Sequence, residues 1–201
     1  MPPAAEIAEV GRAPVQGRAP VQGIWTFITA DVLAFSLFFT LFMLERSRQV
    51  ALFDRSSATL DANLGLLNTL ILVTSSWLVA RALASARAGR RAELRRRLMA
   101  AMLVGSGFAV TKVLEYSGKI SNGITLLTND FFMFYFALTG IHFLHFIGGV
   151  AVLAWLWWSA GDEAPDGPFL GWVESGGIYW HMVDLLWIIL FPMLYLLGAS
   201  R

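Results

Sequence analysis

The chain's three histidines all lie in apolar surroundings. His142 and His145 are three residues apart and share one face of a helix; His181 and Asp184 repeat that spacing. Asp31 stands alone in an apolar run, and Lys112 and Glu115 form a third pair three apart. Ionisable groups in segments this apolar are costly unless they face one another or a wet cavity. Three kinds of chemistry suit them: mutual pairing that fixes helix packing, proton relay, and ligation of a metal or haem. A carboxylate beside a histidine serves the first two at once. The chain contains no cysteine, which excludes disulfides, thiolate-held iron–sulfur clusters and thiolate copper sites.

The elements that must position these groups are membrane spans. Of the 201 residues, 57% are hydrophobic and only 14% charged, and the mean hydropathy is +0.62. A soluble domain carries about 25% charged residues. Five apolar stretches approach the ~20 residues needed to cross a bilayer: 24–44, 63–84, 98–116, 131–158 and 177–198. The fold class expected is therefore all-α, a polytopic membrane bundle of five transmembrane helices over residues 24–201. Residues 1–23 carry a tandem repeat, RAPVQG, are rich in proline and glycine, and lack an apolar core. They read as a disordered tail rather than a signal peptide.

Charge placement orients the bundle. Arg87, Arg90, Arg91, Arg95, Arg96 and Arg97 crowd the loop between the second and third spans. The positive-inside rule puts that loop in the cytoplasm, with the N-terminus inside and the C-terminus outside. An acidic loop at 161–176 falls on the same side. A multi-pass bacterial inner-membrane location follows, with membrane lipid as a partner. The net charge of +1 gives no reason to expect nucleic acid.

Counting about 1.5 Å per residue places Asp31 and Asp184 roughly 10 Å from the arginine side, with His181 nearer the surface and His145 within roughly 20 Å of that side. One inner polar layer of Asp31, His145, His181 and Asp184 is expected, with His142 a turn deeper. Lys112, Glu115 and Asn68 fall toward the other side as a second layer. Ala101, Gly105 and Ala109 form a small-residue stripe for close helix approach, as do Gly148 and Gly149. Pro192 is expected to kink the last span. Trp155, Trp157, Trp158, Trp172 and Trp180 read as an interfacial belt.

The ordered motifs resemble subunit III of the haem–copper oxidases, from near Gly23 to the C-terminus. The first span reads FITADVLAFSLFF, with Asp31 where the family has an intramembrane acid. LLNTLILVTSS carries its Asn-Thr pair at Asn68 and Thr69, and KVLEY its Glu-Tyr at Glu115 and Tyr116. TGIHFLH places Thr139, Gly140, His142 and His145, and YWHMVDLLW places Tyr179, Trp180, His181, Asp184 and Trp187. The five-span form resembles bacterial quinol oxidase subunits and the nitric-oxide-reductase-associated branch. Lys112 in place of the more usual glutamine, Asp31 in place of glutamate, the NDFF entry to the fourth span and the LFPMLYLL ending favour the latter.

The resemblance implies a non-catalytic subunit that stabilises the catalytic subunit I of a cytochrome oxidase or nitric oxide reductase and supports its proton uptake. Haem and copper would sit in that partner, and this chain would bind no cofactor. Histidine arithmetic agrees: a haem–copper centre with its low-spin haem needs about six histidine ligands, and three are present. Asp31, His145, His181 and Asp184 are the expected proton network, with Glu115 and His142 beside it. Two alternatives remain open at this point: a small b-type haem protein and a proton-coupled transporter using Asp31 and Asp184.

Overall fold

The computed structural model describes residues 22–161 and 167–198, and all regular structure among them is helical. Six α-helices run in order: α1 (Gln22–Arg48), α2 (Val50–Ser57), α3 (Ala62–Arg87), α4 (Arg91–Ser121), α5 (Asp130–Ser159) and α6 (Gly167–Phe191), followed by a π-helical turn, Pro192–Leu196. Five are long and apolar enough to cross a membrane: α1, α3, α4, α5, and α6 with its π turn. The tail expected at 1–23 lies outside the described residues, except that Gln22 and Gly23 already belong to α1.

Local signals set the helix ends. Asp61 caps α3 by accepting from the backbone N–H groups of Asn63 and Leu64, and Asn129 caps α5 by accepting from Phe132 N–H. Gly89 (φ 68°) and Gly123 (φ 75°) close α3 and α4 in the left-handed conformation. In both turns the following residue reaches back, Arg90 N–H to Ser85 and Ile124 N–H to Lys119. This Schellman geometry satisfies the last carbonyls and suits glycine.

α6 is the hub. It packs on α3, α5 and α1, while α3 and α4 form the closest pair and α1 lies at the periphery. The small-residue stripe works as expected. Ala101 and Gly105 are buried against α3, and Ser75 Oγ donates to the Ala101 carbonyl at 2.8 Å. A Cβ on Gly149 would stand 2.8 Å from the Trp180 ring, so the glycine admits that indole between α4 and α5.

Two expectations need correction, on the start of the last helix and on Trp180, and the regions of α2 and Pro192 add detail to two others. The last helix begins at Gly167, ten residues before the apolar run at 177, so 167–176 is not a loop. Its glycines and Glu174 depress the hydropathy, yet Pro168 suits a first helical turn. Gly176 also lies where a Cβ would meet Leu156 at 2.6 Å. Trp180 consequently sits mid-helix and is fully buried, whereas Trp155, Trp158 and Trp172 are exposed at the helix ends. Between the first two spans stands the short helix α2. It buries Phe53 against Phe42 and Phe131, with ring centroids 5.3 and 5.7 Å apart. Pro192, which cannot donate a backbone hydrogen bond, opens a π turn that continues α6. The acids Asp162, Glu163 and Asp166 lie outside the described residues.

Candidate functional site: the polar groups inside the bundle

The arginine-bearing end is knitted by its own charges. Arg87 pairs with Glu174 at 2.9 Å, joining the end of α3 to α6. Arg91 Nε donates to the Ala160 carbonyl at 2.6 Å, and Arg95 lies 4.7 Å over the Trp157 ring. Arg97 pairs with Glu93 at 2.8 Å and reaches the Arg81 carbonyl.

Inward from that end, the expected single layer is divided by α6. Tyr179 and His181 are two residues apart, so they leave α6 on nearly opposite faces. On the Tyr179 side, Asp31 of α1 meets His145 of α5, Oδ2 to Nε2, at 2.8 Å. Phe35 and Phe27 flank the imidazole, and Tyr179 OH donates to the His145 carbonyl. On the other side, His181 Nδ1 bonds Ser76 Oγ of α3 at 2.5 Å and lies 4.0 Å from Asp184. No hydrogen bond or ion pair joins the two groups among the described residues. The helix that carries the family's densest motif is itself the partition.

One ring nitrogen of His145 has a fixed role. His145 Nδ1 lies 2.9 Å from the Ile141 carbonyl, an oxygen that only accepts, so Nδ1 carries a hydrogen. Nε2 then faces a carboxyl oxygen at hydrogen-bond distance. That oxygen completes no hydrogen bond in this arrangement, so the two groups meet as a close contact and not as an aligned donor–acceptor pair.

Toward the other end, Lys112 is 1% exposed. Its Nζ donates to Glu115 at 2.8 Å and to Tyr195 OH at 2.8 Å, and Tyr195 OH in turn donates to Glu115 at 2.8 Å. Aromatic faces enclose the ammonium: Trp187 at 4.7 Å, Tyr195 at 5.4 Å, Tyr135 at 5.5 Å and Tyr116 at 6.0 Å. Asn68, expected in this layer, instead bonds Thr111, and its neighbour Thr69 accepts from Trp187 Nε1 at 3.1 Å. Tyr116 OH bonds Thr139, and Gly140 leaves space beside that hydroxyl. His142 is fully buried between Phe108 and Trp187, with neither ring nitrogen hydrogen-bonded.

Tyr195, Tyr135, Ser76 and the Arg87–Glu174 pair were not visible from sequence reasoning. The one available hint was that Arg87 and Glu174 stand at the same end of neighbouring spans. Among the described residues no cluster of three or more His, Cys, Asp or Glu side chains is placed to hold a metal ion.

This geometry defines a class: a multi-span, all-helical membrane protein whose ionisable side chains are gathered in small groups between helices rather than around one metal centre. Comparison with known proteins makes it particular. Residues 15–199 match the family described as cytochrome c oxidase subunit III, and the chain belongs to that family. It is 32% identical over 178 residues to cytochrome c oxidase subunit 3 of Synechocystis sp., covering 87% of this chain and 74% of that one. It is 26% identical over 186 residues to quinol oxidase subunit 3 of Bacillus subtilis, covering 92% and 90%. A protein of Aeropyrum pernix named heme-copper oxidase subunit I+III matches at 27% over 179 residues, which is 86% of this chain but 22% of that one.

Proposed function

We propose that this chain is the non-catalytic third subunit of a bacterial haem–copper respiratory complex. It sits in the inner membrane with its arginine-rich end in the cytoplasm, stabilises catalytic subunit I and supports proton uptake there. Haem and copper belong to the partner. The observation that carries the proton role is the Asp31–His145 pair, a carboxyl and an imidazole 2.8 Å apart at membrane depth near the arginine-bearing end. A relative in which subunits I and III bear one name, I+III, supports subunit I as the partner.

Within this reading we favour the nitric-oxide-reductase-associated branch. Lys112, in the place of the more usual glutamine, is here the centre of a built aromatic site. A haem-binding role finds less support, because His142 and His181 point into different surroundings, the first packed by Phe108 and Trp187 and the second bonded to Ser76.

The test is Asp31→Asn in the native membrane. The variant is expected to insert and co-purify with the catalytic subunit but to lower turnover or shorten the active lifetime of the complex. Turnover, lifetime and assembly all equal to wild type would sink the proton role. Identifying the catalytic subunit that co-purifies separates an oxygen from a nitric oxide reductase.

A further inference from the structure

Between α3 and α6 runs a furrow that the Asp31–His145 pair does not touch. A cavity of about 200 Å³ is lined by Val79, Leu83, Arg87, Glu174, Gly177 and His181, with Ile178. That volume holds several waters. Its mouth is the Arg87–Glu174 pair, where Arg87 is 62% exposed at the end of α3. The α6 side is a single stripe at helical spacing, Glu174, Gly177/Ile178, His181 and Asp184, descending about 15 Å over ten residues. Gly177 contributes no side chain, which leaves the passage open; a Cβ there would find only Val79, at 3.7 Å.

At the foot of the stripe the His181 side chain is 44% exposed and bonds Ser76 Oγ through Nδ1. Asp184 is 5% exposed. The Ser76 hydroxyl interacts with it, yet neither buried carboxyl oxygen completes a hydrogen bond. A buried carboxyl beside the Ser76 hydroxyl, 4.0 Å from a half-exposed imidazole that lines a cavity large enough for water, is placed to accept a proton.

The other charged groups nearby are engaged elsewhere. Arg81 lies over Trp77, and Arg97 of α4 reaches the Arg81 carbonyl and Ser85. Asp31 and His145 face the opposite flank of α6, beside Tyr179. Lys112 is bonded to Glu115 and packed on Trp187, a turn beyond Asp184.

We propose that the α3/α6 furrow is a hydrated proton-exchange site linking the arginine-bearing surface to the buried Asp184 carboxyl through His181. A proton from the bulk, carried through cavity water that is left neutral, adds to His181 at Nε2. The Nδ1 proton passes to Ser76 Oγ as the Ser76 hydroxyl proton moves to an Asp184 oxygen. The carboxylate becomes a carboxylic acid, the ring ends neutral in its other tautomer, and no electron moves. This site rests on the proton-supporting role above for its use in the complex, not for its existence.

The test uses the full chain reconstituted in lipid nanodiscs, without a partner. Infrared difference spectra after a pH step should contain a carboxylic C=O band absent from Asp184→Asn. On transfer to D2O that band should exchange about a hundredfold more slowly in His181→Leu, as expected when a proton-transfer group is lost. Gly177→Leu, which fills the furrow without touching either titrating group, should slow it in the same direction and serves if His181→Leu does not fold. Wild-type exchange rates in the folded furrow variants, or no band attributable to Asp184, would overturn the proposal. Slowed exchange combined with unaltered turnover of the co-purified complex would uphold the furrow and overturn the proton role of the subunit.

Discussion

Two polar regions of one bundle solve the same problem in opposite ways. At the Lys112 end, an ammonium that is 1% exposed is neutralised by Glu115, hydrogen-bonded by Tyr195 and covered by aromatic faces. Tyr195 closes the ring by donating to the same carboxylate. At the arginine-bearing end, Asp31 and His145 are each nearly a fifth exposed, His181 is 44% exposed, and the Asp184 oxygens lack donors. In the first region the two charges are buried and bonded to each other and to Tyr195, although the Tyr135 hydroxyl of the cage lacks a partner. The second is more exposed and under-bonded, with Asp31 Oδ2 and both Asp184 oxygens lacking hydrogen-bond partners. A saturated cluster holds a bundle together. An unsaturated one is available for chemistry.

The comparison breaks most readily at Glu115. Glu115→Ala leaves Lys112 buried without its counter-charge and is expected to cost about 3–5 kcal/mol, read as a lowered unfolding midpoint in detergent. Lys112→Met with Glu115→Leu should recover most of that loss, because an apolar pair of similar volume fits an apolar cage. If Glu115→Ala is as stable as wild type, the saturated region is not a structural anchor. Next in size is Gly149→Val. Its Cβ would begin 2.8 Å from the Trp180 ring, and overpacking of this kind costs about 1–3 kcal/mol. The loss should appear in the same unfolding assay, with Gly118→Val, at a position open on all sides, losing less.

What sequence reasoning reached, and what it missed, follows from the range of the signals. The long spans are legible because hydropathy accumulates over about twenty residues. Asp31 opposite His145 emerges from counting depth along helices that alternate in direction. The start of α6 was hidden because Gly167, Gly171 and Gly176 read as a loop when judged alone. Gly176 packs there against Leu156 and Val152, and Gly177 against Val79. α2 is too short and polar to register as a span. Tyr195 and Ser76 were invisible because a tyrosine or serine in an apolar run has many bland uses. Their partners lie 83 and 105 residues away. The partition of the inner layer by α6 depended on helix rotation, which depth alone does not carry.

Smaller effects sharpen the contrast at the arginine-bearing end. Asp31→Asn removes a partly exposed partner and is expected to change stability by about 1 kcal/mol or less, even where it alters the complex. Arg87→Gln should be smaller still. The Arg87–Glu174 pair has the same short geometry as Lys112–Glu115, 2.9 against 2.8 Å, so distance alone would rank them equal. Exposure ranks them differently: Arg87 is 62% exposed and Lys112 1%. Water and mobile ions reach the first pair and not the second. The Arg87→Gln loss is therefore expected to be about 0.5 kcal/mol at low ionic strength and to vanish in molar salt, whereas the Glu115→Ala loss persists there. An Arg87→Gln loss that is large and insensitive to salt would mean that the furrow mouth is as closed as the lysine cage, and the distinction between a saturated and an open end would fail.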